Sequence, residues 1–595
     1  MRVWLVAFVV RSVSSCSNIL VTKGASSDGY VHTSYNADDA ALFGAVPRWG
    51  AALHPPGSVR EVWSWDLGIK LGEVPEPPQT YNVMGNANEF GVVIGETTHG
   101  GLSVLSNAGK TEANGTRIDY GSLIWMTLQR ARSAREAVST MVDLATTYGY
   151  ASSMEGFSIA DADEVWYMEM LGRGNLGEGV LYVALRIPEG YVVAHANQAR
   201  IREFLPCDDP EWCRYSPDVV EFATKNGFYD GTVPFSFSDV FDPVTFEGAR
   251  FCEARVWYVF SHLGKDFNAT YYLPYARGDD LARRMPLWVE ASNVSARDVR
   301  ALMASHYEGS WFDPSVDVGA GPEHSPYRYN GLEWTLKNQT FVNERPVGTQ
   351  YTGWHFVSTI RADVPPPMKA LLWWGADDHS WSPAIPIHGG ATEVHPSYDG
   401  QDCAGRSECR RARGLPGTVT DFDVEAAWWV NNLVADTVYT RYDRAAPVVE
   451  AAMARLEATL SAKLEVAEDE ASRLEEEGLR SEALQVLSRH AVEAGAVATQ
   501  TWTALWQRLV VLFIDGKITK PDPTDGVCGC VKDSAEFSNE WKQKVVDDTG
   551  NKYEEPPTQD PMLRAAKGLR RRASRRPIHK LDIKGVAGAT RSTIQ

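Results

Sequence analysis

Short apolar runs separated by turns that contain glycine and proline fill the chain from residue 16 to about residue 435. Runs of this length are typical of β-strands, and two runs joined by a short polar turn indicate a hairpin. Turns of that kind lie at 161–163 and 188–190. The strands predicted in this way are 19–22, 30–36, 91–95, 156–160, 164–170, 180–187, 191–196, 353–361 and 370–374. The pattern therefore predicts antiparallel sheets.

Helical spacing of apolar residues marks fewer segments of this region. Leu123, Met126, Val138 and Met141 belong to one such series and predict a single helix over 120–148. A shorter helix is expected at 298–307. The region from 16 to 435 is therefore predicted to be a domain of mixed strands and helices.

The pattern becomes helical from about residue 421 to residue 515. Leu456, Leu460 and Leu464 lie on one stripe, and Gly478 separates their helix from a second one that runs through Leu487, with a third ending near Gly516. A stripe of this kind buries one face against a neighbour. We expect 436–516 to be a helical extension packed on the domain at 16–435, rather than a free coiled coil.

Composition changes again after residue 516, where Pro, Asp, Lys and Glu dominate. Residues 561–595 hold ten Lys or Arg against one Asp. Segments of low hydrophobicity and high charge seldom form a packed core. We expect 517–595 to be a disordered tail, solvated in the simplest interpretation; contact with an anionic membrane or polyanion, or removal as a propeptide, are the alternatives.

Size and charge restrict the class of protein. With 595 residues the chain exceeds one compact core, so additions to a large domain are expected. The net charge of −19 argues against general binding to nucleic acid and suits a soluble hydrolase. Residues 16–595 contain no run of 18 apolar residues, so no transmembrane helix is expected.

The first 15 residues resemble a secretory leader. One early positive charge precedes an apolar run from Val3 to Val10, and small residues follow at 13–15. Cleavage after Ser15 makes Cys16 the first residue of the mature chain. The alternatives are a truncated gene model, a buried first strand, or a lipoprotein signal, which would block both the thiol and the amine of Cys16.

Sequons and cysteines agree with a secretory route. Asn114, Asn268, Asn293 and Asn338 each begin an Asn-x-Ser/Thr sequon. Among the eight cysteines, the pairs Cys207/Cys213 and Cys403/Cys409 are each spaced by six residues and predict short-loop disulfides in an oxidising compartment. Setting Cys16 aside leaves seven, so at least one other thiol stays free, and Cys528-Gly529-Cys530 is compatible with either state. We expect a glycoprotein that is lysosomal or extracellular.

Several common catalytic motifs are missing from the sequence. It contains no Gly-x-Ser-x-Gly elbow, His-Glu-x-x-His helix, P-loop or paired Cys-x-x-Cys module. Neither a metal nor a cofactor is therefore expected. A terminal Cys16 offers another chemistry, because it carries a thiol nucleophile and an α-amine base on one residue. Its alternative is a structural cysteine, buried or in a disulfide.

A terminal cysteine nucleophile needs a carboxylate to orient its amine and neutral donors to hold an oxyanion. Asp38 follows the strand predicted at 30–36, which can return beside the first strand, and so supplies the carboxylate. Asn88 and Asn197 lie next to predicted strands and supply the amide donors. Each asparagine taken alone is also compatible with a turn or a cap.

Several ordered stretches resemble the dipeptidase A and secernin family of cysteine N-terminal nucleophile hydrolases. They are 16–29, 86–98, 166–169 with Gly172, 196–202, 321–329, 357–374 and 428–441. The resemblance covers roughly 16–515. It implies an α+β fold of four layers, αββα, in which two stacked antiparallel sheets lie between helices. It also implies a cysteine exposed by removal of a prosegment, and hydrolysis of dipeptides or related amides without a metal.

Related amidases, such as bile-salt hydrolases and cysteine penicillin acylases, carry an Arg-Asn-x-Asp motif after the nucleophile. The matching stretch here is Tyr35-Asn36-Ala37-Asp38, which keeps the aspartate and replaces the arginine. A later arginine of those amidases corresponds to Arg255. The resemblance therefore adds Arg255 to Cys16, Asp38, Asn88 and Asn197 as a catalytic candidate.

These inferences combine into one leading hypothesis, a secreted or lysosomal cysteine dipeptidase. Its partner is a small peptide substrate, with no nucleic acid and no integral membrane segment after the leader, and the resemblance suggests a homo-oligomer. One alternative is an amidase on N-acylated small molecules or lipids. Another is a non-catalytic secernin-like protein that acts in secretion or interaction.

Overall fold

The computed structural model describes residues 16–328, 331–403, 405–556 and 562. The leader proposed at 1–15 lies outside the described residues. So do residue 329 of the stretch 321–329 and nearly all of the basic segment 561–595.

Twenty-four strands are present among the described residues. In chain order they are β1 (Asn18–Val21), β2 (Val31–Asp38), β3 (Val46–Trp49), β4 (Ala52–Leu53), β5 (Val59–Trp63), β6 (Lys70–Pro75), β7 (Gln79–Thr80), β8 (Val83–Met84), β9 (Ala87–Asn88), β10 (Val93–His99), β11 (Met154–Ala160), β12 (Val165–Gly172), β13 (Val180–Arg186), β14 (Tyr191–His195), β15 (Cys213–Tyr215), β16 (Trp288–Glu290), β17 (Glu333–Leu336), β18 (Gln339–Val342), β19 (Thr352–Ile360), β20 (Ala370–Ala376), β21 (Ala384–His388), β22 (Asp399–Gln401), β23 (Lys517–Pro521) and β24 (Cys530–Ser534). All nine strands predicted from the sequence are confirmed within four residues at each end.

Twelve α-helices connect or cover these strands in the described part of the chain. They are α1 (Tyr120–Leu128), α2 (Ala134–Tyr148), α3 (Val219–Lys225), α4 (Phe237–Phe241), α5 (Ala254–Leu263), α6 (Ala269–Ala276), α7 (Ala296–Met303), α8 (Ser407–Arg413), α9 (Ala427–Thr440), α10 (Tyr442–Glu476), α11 (Arg480–Phe513) and α12 (Asn539–Thr549). A π-helical turn, Gly248–Glu253, runs directly into α5.

Two large sheets form the centre of the fold. The first has seven antiparallel strands in the order β16-β14-β1-β2-β19-β20-β21. The second has nine in the order β15-β13-β12-β11-β10-β9-β8-β3-β22, antiparallel except for the parallel pair of β3 and β22. The remaining strands form two-stranded hairpins or ladders.

Alternation along β1 shows how the layers are built. Leu20 points into the core between the two sheets, whereas Ile19 and Val21 point into a separate core shared with α5 and α7. The outer face of the second sheet, which includes Ile94 and Phe157, packs on α1 and α2. The α+β fold with two stacked sheets between helical layers, predicted from the resemblance, is thus confirmed.

The two sheets come unusually close where β1 crosses β10. The side-chain amide of Asn18 donates to the carbonyl oxygen of Glu96 at 2.6 Å. A Cβ atom on Gly95 would lie only 2.4 Å from Asn18 Oδ1. Only glycine therefore fits at residue 95, and its neighbour Glu96 is held at the same crossing.

The single helix predicted at 120–148 is wrong, because the structure has α1 and α2 with a break between them. Ser133 has an extended backbone, and its hydroxyl accepts a hydrogen bond from the N–H of Glu136 at 3.2 Å. This is an N-cap, which begins a new helix. Helical spacing continues across the break, so spacing alone does not reveal it.

The C-terminal helical region begins with α9 at Ala427, a few residues later than predicted. It also has fewer breaks after Gly478 than predicted. Gly478 has a left-handed backbone and separates α10 from α11, as expected. The two helices predicted after Gly478 are instead one continuous helix, α11. The indole of Trp502 in α11 donates to the carbonyl oxygen of Trp381 at 3.1 Å, and Thr392 N–H donates to Ser488 Oγ at 3.0 Å. These contacts attach α11 to the segments that flank β21.

Regular structure continues past residue 516, where the sequence predicts disorder. The hairpin of β23 and β24 is closed by an ion pair between Lys520 and Asp533 at 2.6 Å, and α12 follows. The expected disorder is therefore wrong for 517–549. The described residues up to Ala535 form one compact unit, and those from Glu536 onward form a second.

Cysteine pairing agrees with the spacing argument. Cys207–Cys213 and Cys403–Cys409 form disulfides, and so does Cys528–Cys530. Cys252 and Cys16 are free, which confirms that a second thiol stays unpaired. In the described part of the chain, every helix is too short or too polar to cross a lipid bilayer.

Replacing Trp502 with alanine is expected to destabilise the protein by about 3–5 kcal/mol, because it removes a fully buried indole and its hydrogen bond. Val466→Ala on α10 is the control, since that side chain is 68% exposed and its loss costs less than about 0.5 kcal/mol. Thermal and urea unfolding of both variants measure the difference. Equal shifts for the two variants would contradict the packing described for α11.

Candidate active site

Cys16 lies immediately before β1 and is buried between the two sheets. Ser17 and Asn36 form an antiparallel bridge with two backbone hydrogen bonds, of 3.2 and 2.9 Å. This bridge continues the pairing of β1 with β2 and sets Cys16 level with Ala37. The residue proposed as the nucleophile is thus fixed at the start of a central strand.

Asp38 ends β2, next to the position opposite Cys16, and its carboxylate is fully buried. Arg345 donates to Oδ2 at 2.7 Å, and the hydroxyl of Thr352 donates to Oδ1 at 2.6 Å. Burial raises the pKa of Asp38, while the Arg345 guanidinium opposes that rise. The structure therefore places a carboxylate where the sequence argument requires one, held by partners that the sequence did not identify.

The guanidinium of Arg255 joins Cys16 to Asn197. Its Nη1 donates to the carbonyl oxygen of Cys16 at 2.6 Å and to Ser17 Oγ at 2.8 Å. Its Nη2 donates to Asn197 Oδ1 at 3.0 Å. Arg255 is fully buried, and burial lowers its pKa. One side chain thus fixes both the first residue of the proposed mature chain and one proposed oxyanion donor.

Asn197 follows β14 with a left-handed backbone, at a φ of 60°. Its side-chain amide donates to the carbonyl oxygen of Thr98 at 2.6 Å. Two residues earlier, His195 contacts the hydroxyls of Thr97 and Ser158, each at 2.7 Å. Burial lowers the pKa of His195 far below its usual value, so its ring is neutral and joins β14 to the second sheet.

Asn88 lies elsewhere, and the structure does not bring it to Cys16. Its amide donates to the carbonyl oxygens of Leu128 and Ala131, at 2.8 and 2.7 Å, and its Oδ1 accepts the N–H groups of Phe90 and Val92. Its backbone N–H bonds Val92 O, four residues before Glu96, which is about 13 Å along a strand. The amide proposed as an oxyanion donor instead stabilises the break between α1 and α2.

Two residues that the sequence argument missed lie beside the sulfur of Cys16. Sγ is 3.7 Å from the hydroxyl of Tyr35 and 3.7 Å from Glu96 Oε1. The Tyr35 hydroxyl in turn donates to Glu96 Oε1. Glu96 is the only charged residue between Val92 and Thr98, and a lone carboxylate inside an apolar strand is the signal that would have identified it.

Acidic and phenolic groups extend the site from Glu96 outward. Glu155 on β11 interacts with Glu96, and burial raises the pKa of Glu96 to about 7 and the pKa of Glu155 well above its usual value. Tyr120 donates to Asp66 Oδ1 at 2.7 Å, and Asp66 is exposed. Acidic and phenolic groups therefore extend from the sulfur to the surface at Asp66.

The thiol of Cys16 has a pKa well above its usual value. Burial is the main cause, and the charges of Glu96 and Asp38 raise the pKa further. In the uncleaved chain the nitrogen of Cys16 belongs to a peptide bond with Ser15, so no α-amine is present to act as a base. Such a thiol remains protonated at neutral pH.

Comparison with known proteins identifies a family and several relatives. The family described as Peptidase family C69 matches residues 54–455, a range that contains Glu96, Asn197 and Arg255 and begins after Cys16. A "Probable dipeptidase" of Latilactobacillus sakei is 24% identical over 445 residues, covering 72% of this chain and 82% of the relative. "Dipeptidase A" of Lactobacillus helveticus is 22% identical, with coverage of 72% and 83%. The "Dipeptidase" of Bifidobacterium longum is 23% identical, with coverage of 71% and 76%.

Neutralising Glu96 is expected to make the Cys16 thiol easier to ionise. In the uncleaved chain, Glu96→Gln removes a negative charge beside the sulfur, so the pH at which iodoacetamide alkylates Cys16 at half its maximal rate should fall. Peptide mapping by mass spectrometry separates Cys16 from Cys252, whose own buried thiol has a pKa raised to about 11.

Glu169→Gln is the matched control for this measurement. Glu169 is a buried glutamate on β12 that accepts the N–H of Ile201 at 3.0 Å, and burial raises its pKa to about 8. This variant should leave the alkylation profile of Cys16 unchanged. A profile that moves equally in both variants, or moves upward in Glu96→Gln, contradicts the assigned electrostatics.

Proposed function

The chain belongs to peptidase family C69, and we propose on this basis that it is a cysteine dipeptidase whose nucleophile is Cys16 Sγ after removal of the leader. The observation that supports the proposal is the Arg255 guanidinium, which binds the carbonyl of Cys16 and the amide of Asn197 together. Several relatives named as dipeptidases match most of the chain, which supports the substrate class.

Cleavage before Cys16 supplies the base that the buried thiol lacks. The freed α-amine, with an ordinary pKa near 8, accepts the proton of the thiol, directly or through a water. Asp38, adjacent to this position and fixed by Arg345 and Thr352, orients and stabilises the resulting ammonium. A positive charge next to the sulfur also lowers the pKa of the thiol, which opposes the effects of burial and of Glu96.

The thiolate then attacks the carbonyl carbon of the dipeptide and forms a C–S bond. The amide of Asn197 and a backbone N–H hold the oxygen that becomes negative. The α-ammonium of Cys16 returns its proton to the nitrogen of the leaving amino acid as the C–N bond breaks. Water then hydrolyses the thioester and releases the first amino acid. Arg255 acts as a positioning residue, since it holds Asn197 and the backbone of Cys16.

We further propose that the protein is a secreted or lysosomal glycoprotein. Its disulfides, Cys207–Cys213 and Cys403–Cys409, are compatible with an oxidising compartment. All four sequon asparagines are exposed, as attachment of a glycan requires: Asn114, Asn268, Asn293 and Asn338. The leader at 1–15 and assembly into a homo-oligomer remain predictions.

The active protein is expected to begin at Cys16. Intact-mass analysis of purified, working protein should give the mass of a chain that starts there, and Cys16→Ala should lower kcat/KM for dipeptides by on the order of 10⁴ or more. Cys16→Ser retains a weaker nucleophile, so its kcat/KM should lie between those of the parent protein and Cys16→Ala. Full activity in Cys16→Ala, or in protein that keeps Ser15, would exclude the mechanism.

The two candidate asparagines are expected to behave differently. Asn197→Gly suits the left-handed backbone and removes the amide, so kcat should fall by about 10²–10³ with little change in thermal stability. Asn88→Ala leaves four backbone groups without their partner, three of them buried, so it should lower the free energy of unfolding by several kcal/mol, at ~1–3 kcal/mol for each buried group.

The folded fraction of Asn88→Ala should keep a kcat within a few-fold of the parent protein. Steady-state kinetics on protein whose folded fraction has been measured by circular dichroism tests both statements. A stable Asn88→Ala protein with a greatly reduced kcat would contradict this and support Asn88 as an oxyanion donor.

A further inference from the structure

We propose that Glu96 and Glu155 form the subsite that binds the free α-ammonium group of a dipeptide substrate. The proposal rests on the dipeptidase function proposed above and adds to it the reason why this site selects dipeptides over N-acylated amides. Four observations support it: the placement of the two carboxyls, an unpaired oxygen on each, the distance of Glu96 from the sulfur, and the acidic residue Asp66 at the surface nearby.

The two glutamates are close neighbours on one face of the second sheet. Glu96 on β10 pairs with Phe157 on β11, and Glu155 is two residues from Phe157. Diagonal neighbours of this kind lie within reach of long side chains. Both residues are almost completely buried, and their carboxyls interact with each other.

Three buried oxygens at this place have no hydrogen-bond partner among the described residues. They are Glu96 Oε2, Glu155 Oε2 and the hydroxyl of Tyr150. Buried polar atoms normally have partners, and lacking one is unfavourable by about 1–3 kcal/mol. The strongest interactions of the two carboxyls are with each other, Tyr35, Cys16, Thr98 and Asp66, none of which is a cation. An ammonium ion supplies both a positive charge and three N–H donors.

Distance from the nucleophile favours an α-ammonium over a more remote cation. In a dipeptide, the ammonium nitrogen is two bonds from the carbonyl carbon that is attacked, or about 2.5 Å. That carbon approaches the nucleophile to about 3–3.5 Å. The ammonium therefore lies within about 6 Å of Cys16 Sγ, and Glu96 Oε1 is 3.7 Å from the same sulfur. A contact between Glu96 and the ammonium is compatible with attack.

Interacting acidic and phenolic residues connect this pair with the exposed Asp66. Asp66 is exposed and accepts the hydroxyl of Tyr120 at 2.7 Å, and Tyr120 interacts with both Glu96 and Glu155. Negative charges along a cleft attract cations and raise their local concentration. An N-acylated substrate lacks the positive charge and would leave both carboxyls desolvated without compensation.

The α-amine of Cys16 itself is the competing ligand, and the register of β2 argues against it. Cys16 stands level with Ala37, so its nitrogen is close to Asp38 on the first sheet, whereas Glu96 and Glu155 belong to the second sheet. Asp38 is thus the carboxylate for the amine of the enzyme, which leaves the glutamate pair for the amine of the substrate.

The test compares Ala-Ala with propionyl-alanine, which differs only in lacking the ammonium group. Three proteins that begin at Cys16 and contain the whole of the following chain are prepared. They are the parent, Glu155→Gln and the buried control Glu169→Gln. The parent should prefer Ala-Ala in kcat/KM by about 100-fold or more. Glu155→Gln should lose about 10- to 100-fold on Ala-Ala, as expected for a charge-assisted hydrogen bond, and change less than three-fold on propionyl-alanine. Glu169→Gln should retain the parent preference.

Calorimetry with a Cys16→Ala protein separates this proposal from the proposed function, because it measures binding of Ala-Ala without hydrolysis. Binding that weakens on adding Glu155→Gln supports the subsite even if no hydrolysis is found with Cys16 present. Hydrolysis of both compounds at equal rates overturns the subsite and leaves the peptidase. Equal losses on both compounds in Glu155→Gln also overturn it, since they assign the glutamate to the α-amine of Cys16 or to the fold.

Discussion

The hydrogen bonds of the Arg255 guanidinium are the constraint on which the site depends. Arg255 is carried by α5, Cys16 by the start of β1, and Asn197 by the end of β14. Because a guanidinium is planar and has a fixed fork of donors, it sets the distance between the groups that it binds. Its burial excludes water that would compete for the same acceptors. Three distant parts of the chain are thereby brought into one rigid arrangement around the sulfur.

The sequence predicted the sheets well because strand formation leaves a local signal. Short apolar runs such as 19–22 and 353–361 were recognisable without knowledge of their partners, and β1 and β19 begin within one residue of the predicted positions. The break between α1 and α2 escaped prediction because helical spacing continues across it and one of the side chains that stabilise it is distant in the chain. Asn88 donates to the carbonyl oxygens there from the end of β9, 40 residues before Leu128.

The site was only partly predictable for the same reason. Asp38 follows Cys16 on the neighbouring strand, so a short hairpin was enough to relate them. Arg345 is 307 residues from Asp38, and Glu155 joins Glu96 through a strand pairing that sequence spacing does not specify. The function of a buried carboxylate depends on which groups face it, and those groups come from other elements.

Gly95 limits the substitutions that the region around Cys16 can tolerate. With no side chain there, β1 and β10 approach until a backbone carbonyl and an asparagine amide are in direct contact. A methyl group at residue 95 would clash with Asn18 and push the two sheets apart. The Cys16 thiol on one sheet and Glu96 and Glu155 on the other would then move away from each other. Gly95 is thus the spacer that sets the distance between β1 and β10, and substitutions near Cys16 are restricted by that distance as well as by the chemistry of the site.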